Sequence, residues 1–356
     1  MSKKTKQNYI SAFNTKKYTY KGKKNKTIFP EFISICKKTQ AELKFDLVTK
    51  LTEAGYPEVI CADGYVYAKG ELPILLTAHL DTVHDNPVKD FYEFVDKNGS
   101  HILSSPQGIG GDDRCGVYMI LEIIKNYKPS ILFCEDEETG GQGSKKFTKT
   151  EFINDLSDLK YLIELDRANA NDAVFYDCDN PEFTKFIEET TGFKKSFGSF
   201  SDISVLAPAC KVAAVNLSCG YYHAHTLREE VNMEEMFNTI SAVKKLLETE
   251  SEQYEYIEKK YSYIDWGVYG RYGLVDYDDY GWGSYGGYSG SSGNYFEGEL
   301  KEEYECVVMY VTFNRNEKED YDEVYGYTKE ECWADFFMGN PDICYNDVLD
   351  YYFDVF

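Results

Sequence analysis

Histidine and carboxylate side chains follow four runs of apolar residues in this sequence, and a fifth group lies in a glycine-rich stretch between two of these runs. The stretch LPILLTAHLDTV (residues 72–83) is the first case, because its apolar run stops at His79 and Asp81 follows two positions later. The other groups are Asp112 and Asp113 at the end of the glycine-rich QGIGGDDRCG, Glu135 to Glu138 after SILFC, Asp166 after YLIEL, and His223 and His225 after the run from Val212 to Leu217. One histidine after an apolar run is usually a hydrogen-bonded structural residue, but five such groups predict a common site.

The residue types in these groups indicate metal-dependent hydrolysis. Imidazole and carboxylate ligands without thiolate suit zinc, or a related divalent metal such as cobalt or manganese. Several acids and two histidines are enough ligands for two ions, and a two-metal site activates a water and polarises a carbonyl. Such a site also needs a free carboxylate as general base, and the adjacent Glu137 and Glu138 can divide the roles of base and ligand.

Short apolar runs alternate with helical stretches over most of the chain, which predicts an α/β fold. Strands are predicted in PEVICADGYVYAKG (a pair around a turn), LPILLTAH, SILFCED, YLIELD and KVAAVNL, and helices in FPEFISICKKTQAELKFDLVTKLTEAG, DRCGVYMILEIIKNY, KKFTKTEFINDL, PEFTKFIEETTG and the long NMEEMFNTISAVKKLLETESEQYEYIEKKY. We expect a three-layer sandwich with a mostly parallel central sheet. Because ligand sites form at the carboxyl edge of such a sheet, the five groups are expected to converge there.

Composition divides the chain into four parts. Residues 1–26 are a lysine-rich segment, predicted to be a mobile arm, and residues 27–258 are predicted to form the catalytic α/β domain. Residues 259–298 are rich in Tyr and Gly and predict a low-complexity linker, with a protein-binding surface as the alternative. Residues 299–356 are acidic and predict a small α+β module, with a strand in YECVVMYVTF and one or two short helices in EECWADFFMGNPDICYNDVLDYYFDVF.

Charge and cysteine content exclude several classes of protein. The chain has 356 residues and a formal net charge of -23, which argues against nucleic acid or an anionic membrane as a partner. Nothing near the N-terminus resembles a signal peptide. No run of about eighteen apolar residues occurs, so a transmembrane span is not expected. The 10 cysteines are scattered without a CxxC pair, so reduced thiols and a cytoplasmic location are expected.

The motifs together resemble those of the di-zinc exopeptidase superfamily, which includes peptidase T, the glutamyl aminopeptidases and the bacterial leucyl aminopeptidases. The stretch TAHLDTV is similar to the superfamily's His-x-Asp motif, GIGGDDRCG to its Gly-x-Asp-Asp segment, EDEETGGQGS to its Glu-Glu-x-Gly segment, ELD to its third carboxylate and HTLREEV to its closing His-x-x-x-Glu. The five motifs occur in the superfamily's order between about Phe32 and Leu247.

The resemblance implies a role for each residue of the site. One zinc ion would be bound by His79, Asp112 and Asp166, and the other by Asp112, Glu138 and His225, with Asp112 as the bridge. Glu137 would be the general base. Asp81 would hold the His79 ring in the tautomer that binds metal. The peptide bond after Asp112 would be cis, as it often is in this superfamily.

Two assignments required a choice between neighbours. His225 is preferred to His223 because only His225 has an acid four residues later, Glu229, followed by Val231. Asp112 is preferred to Asp113 because the first of such a pair is the bridge in the superfamily. No motif covers His84 or His101, and both are expected to be solvated loop residues.

The sequence departs from relatives that insert a lid domain between the third carboxylate and the last histidine. Only Arg167 to Ala224 lies there, too short for a domain of ordinary size, so the lidless branch is expected. Donors for the substrate's terminus and the oxyanion would then come from loops such as Gly198–Asp202 or Tyr221–Arg228, or from the acidic C-terminal module.

On this basis we predict a two-zinc hydrolase of amide bonds, an exopeptidase that removes N-terminal residues from short peptides. One alternative is a deacylase or carboxypeptidase acting on N-acyl amino acids. A cysteine hydrolase using Cys219 with a following histidine is a second. A third is a non-catalytic binding module that keeps the fold and holds a protein partner through its Tyr/Gly-rich and acidic C-terminal region.

Overall fold

The computed structural model describes residues 20–259 and three strands near the C-terminus, Val307–Arg315, Lys318–Gly326 and Val348–Val355. The chain forms two compact units, residues 1–274 and residues 275–356. The predicted arm before residue 20, most of the Tyr/Gly-rich stretch and residues 330–347, where helices were predicted, lie outside the described residues. The division into four parts therefore stays a prediction.

Strands and helices alternate along the first unit. The strands are β1 (Lys23–Lys24), β2 (Ile60–Ala62), β3 (Tyr65–Ala68), β4 (Leu72–His79), β5 (Tyr92–Val95), β6 (His101–Ser104), β7 (Pro129–Cys134), β8 (Tyr161–Arg167), β9 (Asp172–Val174), β10 (Lys194–Ser196), β11 (Ala214–Ser218), β12 (Tyr221–Tyr222) and β13 (Glu230–Asn232). The helices are α1 (Pro30–Cys36), α2 (Gln40–Glu53), α3 (Gly111–Ile123), α4 (Gln142–Phe147), α5 (Ile153–Leu156), α6 (Pro181–Thr191), α7 (Asp202–Cys210) and α8 (Met233–Glu248).

Eight strands form the central sheet, in the order β10-β9-β11-β8-β4-β7-β3-β2. The middle strands β11, β8, β4 and β7 run parallel to their neighbours in this group. Antiparallel pairs occur between β9 and β11, between β7 and β3, and between β3 and β2. The prediction of an α/β fold with a mostly parallel central sheet is confirmed.

Side chains from successive residues of the middle strands enter two different cores. On β4, Leu75 belongs to a cluster with Leu162 of β8, whereas Leu76 belongs to a second cluster with Ile163. Helix α3 packs against β4 and β8, and α7 packs against β8 and β11. Since alternate residues of a strand point to opposite faces, the sheet has a core on each face and forms the middle of three layers.

The register of the middle strands places their carboxyl ends at one edge. His79 at the end of β4 lies opposite Cys134 at the end of β7, and Thr77 lies opposite Glu164 of β8. Glu137 and Glu138 follow β7 by a few residues, and Asp166 lies near the end of β8. The strands thus deliver these side chains to a common region.

A second sheet was not predicted from the sequence. It is antiparallel, has five strands in the order β1-β5-β6-β13-β12, and ends with the hairpin that brackets His225. The residues between Asp166 and His225 supply β9 to β11 of the central sheet and helices α6 and α7. This stretch is therefore part of the α/β unit.

Three predicted helices differ from the observed ones. The helix predicted in KKFTKTEFINDL is divided into α4 (Gln142–Phe147) and α5 (Ile153–Leu156). The helix predicted in FPEFISICKKTQAELKFDLVTKLTEAG is divided into α1 and α2, because Thr39 begins a new helix: its side chain accepts the Glu42 N–H, and Glu42 accepts the Thr39 N–H. The final helix ends at Glu248, well before Tyr261. Beyond it the Tyr254 ring packs with Tyr161 and two phenylalanines, and its N–H donates to Lys160 O. These packing contacts outweigh the helical pattern of the polar residues that precede Tyr254.

Three antiparallel strands are described in the C-terminal unit. They are β14 (Val307–Arg315), β15 (Lys318–Gly326) and β16 (Val348–Val355), in the order β15-β14-β16. The strand predicted in YECVVMYVTF is confirmed as β14, but the prediction of helix is wrong for residues 348–355, which form β16. Their sequence, VLDYYFDV, is rich in the aromatic and β-branched residues that favour strands.

None of the helices in the described part of the chain has both the length and the apolar character that a membrane crossing needs.

Helix α2 offers a paired test of which face is buried. Leu47 is fully buried in the core, whereas Phe45 on the same helix is 70% exposed. We expect Leu47→Ala to lower the free energy of unfolding by about 3 kcal/mol, because it removes buried methyl groups and leaves a cavity. Phe45→Ala should change it by less than about 0.5 kcal/mol. Urea unfolding of both variants measures the difference. Equal decreases in the free energy of unfolding would mean that α2 does not bury the face that carries Leu47.

Candidate active site

His79 lies at the end of β4 with its side chain only 1% exposed. Its Nδ1 is 3.1 Å from Asp81 Oδ1. The Asp81 carboxylate also accepts the backbone N–H groups of Glu137 (3.0 Å) and Glu138 (3.1 Å). Asp81 therefore fixes the imidazole and at the same time ties it to the loop after β7. This leaves Nε2 of His79 as the nitrogen that faces the other side chains of the site.

Asp112 is placed between the two histidines. Its Oδ1 lies 2.9 Å from His79 Nε2, and its Oδ2 lies 3.2 Å from His225 Nε2. Asp112 and Asp113 have non-helical backbone angles at the start of α3, and the peptide bond between them is cis, as the resemblance implied. One carboxylate thus presents one oxygen to each histidine.

Asp113 faces away from these side chains. Its Oδ2 accepts the His79 N–H (3.2 Å), and its Oδ1 accepts the Gly116 N–H (2.8 Å). Asp113 is fully buried, and it holds the backbone of His79 rather than joining the ligand groups. The two adjacent aspartates therefore have different surroundings.

Three groups of side chains in the described residues bring ligand atoms within 4.8 Å of one another. They are His79 with Asp112 and Asp166, Asp112 with Glu138 and His225, and His79 with Glu137 and Glu138. The structure therefore brings together all of the predicted ligands and the predicted base: His79, Asp112, Glu137, Glu138, Asp166 and His225. His223 belongs to none of these groups.

Asp166 is held by residues that the sequence reasoning did not assign. Its Oδ2 accepts the Ser201 hydroxyl (3.0 Å), its N–H donates to Asn216 Oδ1 (2.9 Å), and its carbonyl accepts the Tyr221 hydroxyl (2.6 Å). Asn216 interrupts the apolar run of β11, and a polar residue inside a buried strand was the available signal for it. Ser201 and Tyr221 carry no comparable local signal.

His225 differs from His79 in exposure. Its side chain is 54% exposed, and its Nε2 lies 3.2 Å from Glu138 Oε1. That Glu138 oxygen is buried and has no well-aligned hydrogen bond within the described structure. A buried carboxylate oxygen without such a partner is what a missing cation would satisfy.

The two histidines carry raised pKa values. Burial acts to lower the pKa of His79, but hydrogen bonds to Asp112, Asp166 and Asp81 raise it well above its usual value. The nearby carboxylates of Asp112 and Glu138 raise the pKa of His225 to about 10. Both shifts reflect the density of carboxylates around the two rings.

The pKa values of the site carboxylates are shifted in different directions, up for Glu137 and Asp166 and down for Asp112. Burial raises the pKa of Glu137 to about 9, and burial together with the charge of Asp112 raises the pKa of Asp166 to about 6. The pKa of Asp112 is held below its usual value because the histidine hydrogen bonds outweigh its burial. The clustering of several acids in one partly buried space favours a bound cation. The carboxylate oxygens, together with the imidazole nitrogens of His79 and His225, suit zinc.

The prediction that His84 and His101 are solvated loop residues is wrong, and the structure disfavours the alternative of a cysteine hydrolase. Cys219 is fully buried, and burial raises the pKa of its thiol well above the usual value, so a reactive thiolate is disfavoured. His84 is not solvated, because its side chain is 8% exposed and pairs with Glu229. His101 lies on β6, and its Nδ1 is 2.6 Å from Glu93 Oε1.

The family model described as Peptidase family M28 matches residues 66–206. This match confirms the relationship of the segment to the di-zinc exopeptidase superfamily that the motifs indicated. The class of protein that fold and site define is a metallopeptidase, a hydrolase that cleaves peptide bonds with the help of metal ions.

Several solved structures resemble this chain. Aminopeptidase PepT from Bacillus cereus has 17% sequence identity over 61% of this chain and 96% of that chain, with a TM-score of 0.49. A tripeptidase from Staphylococcus aureus has 13% identity over 62% of this chain and 96% of that chain, with a TM-score of 0.48. The TET1 peptidase of Pyrococcus horikoshii has 12% identity over 62% of this chain and 99% of that chain, with a TM-score of 0.46. The comparison with curated proteins gave no match.

Proposed function

We propose that the site binds two zinc ions and that the protein is an aminopeptidase acting on short peptides. One ion would be held by His79, Asp112 and Asp166, and the other by Asp112, Glu138 and His225. The observation that carries this proposal is the placement of Asp112, whose two carboxylate oxygens face two different histidines. Cobalt or manganese would suit the same donors.

Glu137 and Asp81 are the residues to which we assign proton transfer and the control of the His79 tautomer. When bound, the two ions would activate a water and polarise the carbonyl of the scissile bond. Glu137 lies beside both ligand groups and would take a proton from the attacking water on its carboxylate and pass it to the leaving amine. Asp81 would keep the proton of His79 on Nδ1, so that Nε2 offers a lone pair.

The predicted compartment is the cytoplasm. The proposal is supported by the seven described cysteines, which are all free thiols, six of them buried. A short peptide with a free amine is the proposed substrate. A protein partner for the Tyr/Gly-rich and acidic C-terminal region stays a prediction, because most of that region lies outside the described residues.

The test is a panel of dipeptides and tripeptides assayed with zinc-loaded protein. Each peptide is used with both termini free, with the amine acetylated, and with the carboxylate amidated. We expect cleavage of the free and amidated forms and loss of cleavage when the amine is blocked. Bound zinc per chain is measured on the same samples by elemental analysis, with two ions expected.

Other results would select one of the alternatives. Cleavage of acetylated substrates in preference to free ones would mean a deacylase or carboxypeptidase. Two bound zinc ions without cleavage of any of these peptides would contradict the proposed substrate class. A chain that binds no zinc and shows no activity with added zinc or cobalt would be a binding module.

A further inference from the structure

Glu229 is a fully buried carboxylate that no step of the proposed reaction uses. It lies four residues after His225, in the segment that leads into β13. Burying a carboxylate is costly unless its oxygens accept hydrogen bonds, so the partners of Glu229 indicate why it is there.

Those partners come from two other loops of the site. Glu229 Oε2 accepts the Gly110 N–H at 2.7 Å, and Glu229 Oε1 accepts the Asp112 N–H at 3.0 Å. His84, in the loop that follows His79 and Asp81, places Nε2 at 2.9 Å from Glu229 Oε2. Three segments that carry or directly follow a proposed metal ligand therefore meet on one carboxylate.

The absence of side chains at the glycines of GIGGDD allows this loop to approach Glu229 and His84 closely. A side chain at Gly108 would overlap the His84 ring, whose atoms would lie 2.2–2.3 Å from the added Cβ. A side chain at Gly111 would lie 2.7 Å from Tyr221 Cβ and 2.9 Å from a Val231 methyl group, beside Glu229. The glycine-rich loop is thus packed directly on this pair of residues.

We propose that Glu229 and His84 are positioning residues that hold the backbone of Asp112 at a fixed place relative to His79 and His225. This inference rests on the proposed function, because it assumes that Asp112 and His225 bind metal. Removing a hydrogen-bond partner behind a metal ligand typically lowers metal affinity by about 10- to 100-fold. We expect a loss in this range for Glu229→Gln, because the amide keeps one acceptor oxygen and turns the other into an N–H donor, so that either the Asp112 N–H or the Gly110 N–H loses its acceptor.

His84→Ala provides a milder second variant. His84 lines a cavity of about 210 Å³ that is also lined by Asp81, Gly108 and Arg114. Water can enter the space left by the ring and bond to Glu229, so we expect this variant to fold. Its zinc affinity should fall less than that of Glu229→Gln, because both backbone N–H bonds to Glu229 remain.

The chain offers a matched control pair on the second sheet. Glu93 is buried, accepts the Ile28 N–H at 3.3 Å and has His101 Nδ1 at 2.6 Å, and neither Ile28 nor His101 is a proposed metal ligand. The four variants Glu229→Gln, His84→Ala, Glu93→Gln and His101→Ala are compared with the unchanged protein. Zinc affinity is measured by competition with a chromophoric chelator, and unfolding temperature is measured on the zinc-free proteins. The visible spectrum of the cobalt-loaded proteins reports the ligand geometry directly.

The expected result is weaker zinc binding and an altered cobalt spectrum for the Glu229 and His84 variants, with both unchanged in the Glu93 and His101 variants. Two zinc ions bound equally well by the unchanged protein and by both site variants would overturn this inference and leave the proposed function standing. No zinc bound by the unchanged protein would overturn the proposed function, and the inference with it. If Glu229→Gln does not fold, His84→Ala decides the question by the same affinity and spectral criteria.

Discussion

Replacing Glu137 by glutamine is expected to lower the rate constant for peptide cleavage by about 10³-fold while two zinc ions remain bound. A glutamine cannot accept the proton of the attacking water, so the proposed base is removed. The loop itself should be preserved, because its attachment to Asp81 uses the backbone N–H groups of Glu137 and Glu138. Steady-state kinetics on the best peptide and zinc content by elemental analysis measure the two quantities separately.

Glu135→Gln is the control for this variant. Glu135 lies in the same loop, but its carboxylate bonds to Lys44 Nζ and to the Gly64 N–H rather than to the site. Its replacement should leave the rate constant close to that of the unchanged protein. A Glu137→Gln protein with a nearly normal rate would show that another group is the base.

Replacing Asp112 by asparagine is expected to abolish both metal binding and activity. An amide leaves one oxygen and one nitrogen where two charged oxygens now face His79 and His225. Since loss of a group behind a ligand already costs about 10- to 100-fold in metal affinity, loss of the bridging charge should cost more than about 100-fold. Dialysis against a zinc buffer followed by elemental analysis gives the affinity and the number of ions retained.

Asp113→Asn tests the choice between the two adjacent aspartates. Asp113 accepts two backbone N–H groups and belongs to none of the ligand groups in the described residues. Its replacement should lower stability but leave zinc bound in the folded protein. Loss of zinc from the Asp113 variant combined with retention in the Asp112 variant would reverse the assignment.

The central strands and the side chains at their ends were predictable because one physical pattern produces both. A strand buried on both faces is an unbroken apolar run, as in β4 and β7, and the chain becomes polar where it leaves the sheet. Parallel neighbours then bring His79 and Glu137 to the same edge, although they are far apart in sequence. This reasoning needs only local sequence and the direction of the strands.

Contacts between distant loops could not be predicted in this way. Ser201 and Tyr221 contact Asp166 only because α7 and β12 are packed where they are, and nothing in their own sequence segments specifies that partner. His84 has a partner 145 residues away in Glu229, so its local sequence suggested an ordinary loop residue. The early end of α8 has the same origin, since Tyr254 packs with rings from β8 and α6 that the helical pattern does not reveal.

The bonds that Asp81 accepts have a consequence for how this site could have diversified. They come from the main chain of residues 137 and 138, and every residue except proline carries that N–H group. These two bonds to the backbone therefore do not depend on the side chains at positions 137 and 138. Substitutions at these two positions can change the reaction while the bonds to Asp81 are kept. New activities can therefore evolve here with little loss of stability.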